Sequence, residues 1–452
     1  MLIMTRVRLT CIISLLTTLS GCAAFLGFNE DLNQYEQQLI NHNCDYTPID
    51  AQIKSDPLLW TLNGGALARQ CSDYKKSIEY LDQAEAIFKQ QETALEINSI
   101  GHSVASILVN NNINDYQGEN YEKIMMNVYK GLNFMSLNDF DYARVEFNRV
   151  LDRQRRATEF FEKEIDNAYN QYNQSEYMRE ICQPVAENTK ISRYNGDITP
   201  EMIYPNFVNP FATYISALFF YLDKDYSKAR DLFKQTTRML PNQQQVQADL
   251  KLAEQGAQTK QHYAWLIYEN GQGMIKRSFT YRFPAYLFTD KVVTSDVSLP
   301  TIYKRSVSYP YLKLNQTKTT EITNMDNIIQ IEFSKKLPGI ITEAMLNMVA
   351  KSAMQYTLEK NLEEYGGKLW GFLYQLATDT ADVRQWRAMP KNFQIARVPM
   401  TDNRLTIYKP DGSILTQIDS LQPDRDAVIY IKSDLVDHNT IHIIQKSTNH
   451  ND

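Results

Sequence analysis

From residue 31 to about residue 265, apolar residues recur at three- and four-residue spacing, the period of helices that bury one face. Beyond that point the period shortens. Alternating runs at Ser278 to Phe283, Val292 to Leu299 and Ile328 to Phe333 predict strands. A helix is expected over 342–364, with Ala344, Met345, Met348, Val349 and Ser352 on one face and Gly366-Gly367 behind it. Strands resume at Phe393 to Val398, Leu405 to Tyr408, Ala427 to Ile431 and Thr440 to Gln445, with a hairpin turn at Asp411-Gly412. Tyr268-Glu269-Asn270-Gly271 punctuates the change of period. The predicted class is therefore α followed by α+β. A helical domain spans 31–265 and a β-rich α+β domain spans 266–446, with a polar tail over 447–452 expected to be disordered. A stretch rich in Asn, Gln, Tyr and Pro near 170–210, broken by Asn195-Gly196, Pro200, Pro205 and Pro210, reads as a loop insertion.

The helical half repeats itself. Gly65, Ser77, Leu81 and Ala84 share one spacing with Gly131, Ala143, Phe147 and Val150, and with Ala217, Ala229, Phe233 and Thr236. Each set encloses an acidic-aromatic turn: Ser72-Asp73-Tyr74, Asn138-Asp139-Phe140 and Lys224-Asp225-Tyr226. This resembles the tetratricopeptide repeat, in which small residues let two helices approach and a large apolar residue fills the gap. The consensus first-helix Trp is replaced by Asn127 and Thr213, and Trp60 stands one position early. Generic helical hairpins predict nearly the same architecture. The long interval between the first two sets has room for a degenerate helical pair around 86–120.

The N-terminus changes the picture most. Arg6 and Arg8 precede an apolar run from Leu9 to Leu19, well short of the roughly 20 residues a spanning helix needs. Leu19-Ser20-Gly21-Cys22 follows and resembles the lipobox of bacterial lipoproteins. The resemblance implies a signal peptide over 1–21, lipidation of Cys22, which becomes the first mature residue, and a short tether over 22–30. The alternative is an ordinary secretory signal with an incidental cysteine. In that family an Asp after the cysteine favours the inner membrane. Ala23 stands there instead, so the implied address is the periplasmic face of the outer membrane, with the inner membrane as alternative. Removing the leader takes away two arginines and no acids, moving the net charge from −6 to −8. A mildly acidic chain without a long basic run argues against nucleic acid. Of five cysteines, Cys11 leaves with the leader and Cys22 carries lipid. Cys44, Cys71 and Cys182 remain. A Cys44–Cys71 bridge suits an oxidising compartment, and three buried thiols are the competing reading.

Two stretches carry a wider resemblance. One runs from Asp115-Tyr116-Gln117-Gly118-Glu119-Asn120-Tyr121-Glu122-Lys123 through Tyr129-Lys130-Gly131-Leu132-Asn133 to Ala143-Arg144-Val145-Glu146-Phe147-Asn148-Arg149. The other is Ala381-Asp382-Val383-Arg384-Gln385-Trp386-Arg387-Ala388-Met389-Pro390. Together they resemble a family of proteobacterial lipoproteins with tetratricopeptide-like repeats and a C-terminal β-rich region. That family has no established catalytic residues, so the resemblance transfers none.

Candidate partner-binding residues are Tyr116, Tyr121, Glu122, Arg144, Arg149, Arg384 and Trp386. Tyr116, Tyr121 and Glu122 either line a concave face or pack with their polar tips satisfied. Arg144 and Arg149, in a basic run continued by Arg153, Arg155 and Arg156, either meet an acidic partner or pair with neighbouring acids. Asp382, Arg384, Trp386 and Arg387 combine charge with a tryptophan. If the segment is helical, Asp382 and Trp386 share a face, and the stretch is either a recognition patch or a buried Arg–Asp pair capped by Trp that locks the helix onto the following strand. The histidines are scattered; His438 and His442 fall on one face of a strand. No catalytic, metal or cofactor motif is present. The expected function is a lipid-anchored, non-enzymatic scaffold or assembly factor that binds a protein partner in the periplasm or outer membrane. The alternative is a peptidoglycan- or glycan-binding or -processing protein with a site between the two domains.

Overall fold

The computed structural model describes residues 30–99, 116–174, 209–285, 293–337, 340–341, 344 and 381–447. Cys22 and its leader, Cys182, the insertion over 175–208 and nearly all of the helix expected over 342–364 lie outside the described residues.

Helix α1 (residues 30–40) and α2 (Thr47–Gln52) lead into three helical pairs. These are α3 (Pro57–Gln70) with α4 (Tyr74–Ser99), α5 (Asn120–Ser136) with α6 (Phe140–Gln174), and α7 (Pro210–Leu222) with α8 (Tyr226–Met239). A further helix, α9 (Gln244–Gln255), closes the array. Each pair is joined by three residues, and the middle one is left-handed: Ser72 at φ 58°, Asn138 at 60° and Lys224 at 64°. The aspartate that follows caps the second helix. Asp73, Asp139 and Asp225 accept from the backbone N–H of Lys76, Tyr142 and Lys228 at 3.1, 3.2 and 3.2 Å. The acidic turn seen in the sequence is thus a helix stop and a helix start in three residues.

Small residues set the spacing within a pair. A Cβ on Gly65 would sit 2.4 Å from Leu81, and one on Gly131 would sit 2.8 Å from the Phe147 ring. The Ser77 hydroxyl donates to the Gly65 carbonyl at 2.6 Å. Gly65→Val is expected to destabilise the fold by about 1–3 kcal/mol through overpacking; an unchanged urea midpoint would refute the close approach. Of the degenerate pair expected around 86–120, residues 100–115 lie outside the described residues. Residues 86–99 continue α4, which packs directly on α5, where Lys130 meets Glu85 of α4 at 2.5 Å.

Strand β1 (Tyr263–Asn270) follows, then the hairpin of β2 (Ile275–Ala285) and β3 (Val293–Tyr303). Short β4 (Lys313–Leu314), β5 (Thr317–Lys318) and β6 (Thr320–Asn324) come next, then helix α10 (325–337). The chain ends in β7 (Asn392–Pro399), β8 (Leu405–Tyr408), β9 (Ile414–Ile418), β10 (Ala427–Leu435) and β11 (His438–Ile444). The main sheet has order β11-β10-β1-β7-β6, with β1 and β10 parallel and the other neighbours antiparallel. A second sheet has order β5-β4-β8-β9. Gly412, at φ 87°, makes the predicted hairpin turn, but the strand it leads into is β9, which the sequence reading did not include.

The main sheet is sandwiched. Trp265 and Ile267 of β1, Phe393 and Ile395 of β7, and Val428 and Tyr430 of β10 join the core of the helices. Ala264, Leu266, Ala396, Val398 and Ile429 point the other way and pack with Leu312, Leu314, Leu405 and Ile407 beneath the second sheet. Phe211 of α7 stacks on Phe393 with centroids 3.6 Å apart. This sheet covers the inner faces of α3, α5 and α7, which are buried nearly all round.

Three expectations are corrected. The boundary placed at 265–266 falls inside β1, because a strand buried on both faces reads as one apolar run rather than an alternation. Residues Ile328 to Phe333 are helical, not extended: the Asn324 side chain accepts from the Asn327 N–H at 3.3 Å and starts α10. The segment from Asp382 to Trp386 is not a helix but an extended strap leading into β7. Among the described residues no helix is long and apolar enough to cross a membrane.

Candidate functional site

The strongest concentration of buried chemistry lies where α5 meets α10, β2 and the strap 381–386. Glu119 and Glu122 make a capping box at the start of α5, and the Glu119 N–H donates to Glu122 at 3.0 Å. Glu122 is fully buried and also accepts from the Tyr116 hydroxyl at 2.6 Å and the Trp386 N–H at 2.8 Å. Burial, and then the nearby charge of Glu119, push its carboxyl up to about 7. Glu119 goes the other way. Burial opposes its ionisation, but Lys276 at 2.5 Å and Lys336 hold its carboxyl well below the usual range. Glu332 of α10 accepts from the Asn120 and Tyr121 N–H groups at 2.8 and 3.3 Å, a carboxylate seated on the N-terminus of α5. Gln385 links the Tyr121 hydroxyl to the Met274 carbonyl, both at 3.0 Å.

Two neighbouring clusters extend this seam. Glu269 of β1 takes hydrogen bonds from Tyr129 of α5 at 3.0 Å, Lys432 of β10 at 2.7 Å, and Tyr430. Arg69 of α3 lies over the Tyr430 ring at 4.9 Å. Asp249 of α9 is fully buried and accepts from Arg397 at 2.6 Å, Tyr214 at 2.8 Å and the Trp265 indole at 3.2 Å.

Tyr116, Tyr121, Glu122 and Trp386 are therefore corrected as partner-binding candidates: all four are buried in the joint. Arg384 pairs with Asp56 at the start of α3 and with Asp382, both at 2.9 Å, tying the strap to the first helical pair. The Arg–Asp pairing is present, with the strap in place of the expected helix. Arg144 and Arg149 are more exposed but also engaged. Arg144 contacts Asp223 and Asp225 of the third pair at 2.5 and 3.1 Å. Arg149 contacts Glu146 at 2.7 Å and Glu85 of the first pair at 3.2 Å. The basic run thus stitches adjacent helical pairs together.

Cys44 and Cys71 are bonded to each other. His442 is buried against the Tyr74 hydroxyl at 2.8 Å, and burial, then Arg69, His42 and Lys432, hold its imidazole down at about 3. Among the described residues no group of His, Cys, Asp and Glu is arranged to hold a metal.

The sequence reading missed Lys276, Glu332, Glu269, Lys432, Asp249 and Arg397. One local signal existed for Glu269, a lone acid ending the apolar run Ala264 to Tyr268. The others gain their meaning only from tertiary partners. Comparison with protein-family models, with curated proteins and with solved structures finds no match to this chain.

Proposed function

We propose that this protein is a non-enzymatic binding scaffold of the cell envelope, tethered through a lipidated Cys22 to the periplasmic face of the outer membrane. Its frame is a tetratricopeptide-like array, supported by the three matching linkers and the small-to-large contacts within the first two pairs. The Cys44–Cys71 bond fits an oxidising compartment. The inner groove, where such arrays hold peptides, is filled by the protein's own sheet. Partner contact therefore belongs on the outer surface.

The observation that carries this reading is an apolar ridge at the α5–α6 turn. Leu137, Tyr142 and Val145 are exposed there, Tyr142 at 62 %, and Tyr142 stacks on Phe134 at 5.3 Å. An exposed tyrosine close in sequence to exposed aliphatic side chains is the kind of feature that supports a recognition surface. A photo-crosslinking side chain at position 142 is expected to capture a defined envelope protein, and Val145→Glu to abolish capture. Recovery of the protein on isolated cell wall with no protein adduct would overturn this in favour of glycan binding. Separately, Cys22→Ser is expected to release the protein into the soluble periplasm, and its persistence in the membrane fraction would refute the anchor.

A further inference from the structure

We infer that the Cys44–Cys71 bond is a redox-operated clasp on β11, the outermost strand of the main sheet. Among the described residues, strand β11 has β10 as its one strand neighbour. Its side chains toward the helices are held instead by two short segments. His438 Nδ1 donates to the Ile40 carbonyl at 2.8 Å, and Thr440 Oγ1 lies 3.2 Å from His42 Nε2. His442 Nδ1 lies 2.8 Å from the Tyr74 hydroxyl and 3.5 Å from Ser72 Oγ. Residues 40–42 and 72–74 flank the two cysteines, so the bridge joins the two jaws that grip the strand. Gln70 Nε2 ties the same jaws from inside, bonding the Leu39 carbonyl at 2.7 Å and His42 Nδ1 at 3.1 Å.

Apart from the bridge and Gln70, the exposed 41–45 jaw is held by hydrogen bonds close in sequence. The Asn41, His42 and Asn43 N–H groups donate to carbonyls of α1, Gln38 Nε2 donates to the Asp45 carbonyl, and the Asp45 and Thr47 N–H groups donate to the side chains of Asn43 and Asp45. Cys44 is itself exposed, so a dithiol reductant reaches its sulfur. Attack there forms a mixed disulfide and releases Cys71 as a thiolate, which takes a proton. The second thiol of the reductant then closes on its first and frees Cys44 as a thiol. Two electrons and two protons pass to the protein, and the reductant leaves as a disulfide. The freed jaw lets go of Thr440 at His42 and loosens the adjoining end of α1, whose Ile40 carbonyl holds His438, and β11 stays paired to β10 with its outer edge loosened.

This clasp does not depend on which partner the protein binds. Amide hydrogen exchange of the full chain, oxidised and after treatment with dithiothreitol, tests it. Reduction is expected to speed exchange in 438–444 at least tenfold more than in β1 and β7, because strand β11 then opens without global unfolding. Equal changes in β11, β1 and β7, or no change in β11, would overturn the clasp. Tyr74→Phe keeps the sulfur bridge and removes one grip on His442. It is expected to raise β11 exchange in the oxidised protein, and full protection of β11 in that variant also counts against the inference.

Discussion

Lys130→Met is expected to cost about 3–5 kcal/mol of stability, the effect of stranding buried charges whose partner has gone. Lys130 is almost completely buried on α5, with its ammonium 2.7 Å from Asp82, 2.5 Å from Glu85 and 3.1 Å from Glu146. Met keeps most of the apolar stem, so packing is largely preserved and the charge is what disappears. Glu85 and Glu146 are then left buried with only the half-exposed Arg149 and the more distant Arg153, 3.9 Å from Glu85, neither of which takes the central place of the lost ammonium. Arg149→Met provides the control: with its side chain 39 % exposed, it is expected to cost about 1 kcal/mol or less. Urea unfolding of both variants at neutral pH makes the comparison, and equal costs would refute the buried-hub reading. The pH dependence follows from the pair. Burial raises the Glu85 carboxyl, but the hydrogen bond and charge of Lys130, with Arg149 and Lys89, hold it low overall. Its contribution is present above the ordinary carboxylate range and is lost as the solution is acidified through the lowered value.

Glu122 is expected to impose the opposite slope. Its carboxyl titrates at about 7 in the folded protein, against an ordinary value of 4.5. Between those values the folded chain holds a proton that the unfolded chain has released. Stability from this group is therefore full below 4.5 and falls as the pH rises through 7. The shift corresponds to roughly 3 kcal/mol at 1.4 kcal/mol per unit. Glu122→Gln removes the titration and keeps the shape. Unfolding free energies of the parent and Glu122→Gln, measured from pH 4.5 to 8, are expected to converge or cross by about that amount. Parallel curves across the range would rule out a proton held at Glu122.

The helical pairs were legible because their determinants are local. Gly65 against Leu81, Gly131 against Phe147 and the three capping aspartates all act within one linker or one pair. The β-rich half was legible at β2, β3, β7, β8, β10 and β11, where apolar or alternating runs of strand length stand between turn residues. Strand β9 and the short β4 to β6 were missed, and β1 was read as the end of the helical run because its two faces meet two cores. The run Ile328 to Phe333 satisfies strand and helix alike; the Asn324 cap and the burial of Met325 and Ile329 settle it. At the candidate site, aromatic and charged residues close together in sequence did mark something special. Recognition and burial leave the same signature, and only tertiary placement separates them. Tyr121 and Trp386 became interior because Gln385 and Glu122 draw the strap across the start of α5.

The parallel pairing of β1 with β10 has a consequence for how the molecule is made. Tyr268 lies beside Ile431, across more than 160 residues of intervening chain. During synthesis, the helices emerge long before the strands that cover them. The inner faces of α3, α5 and α7 must therefore wait, oily and uncovered, until nearly the last residue has arrived. Pairing over such a distance is slow, and surface exposed meanwhile invites aggregation. A chain cut short before β10 would lack the neighbour that completes β1 on one side. Biogenesis of this protein thus places a late and unforgiving demand on whatever shields the unfinished chain.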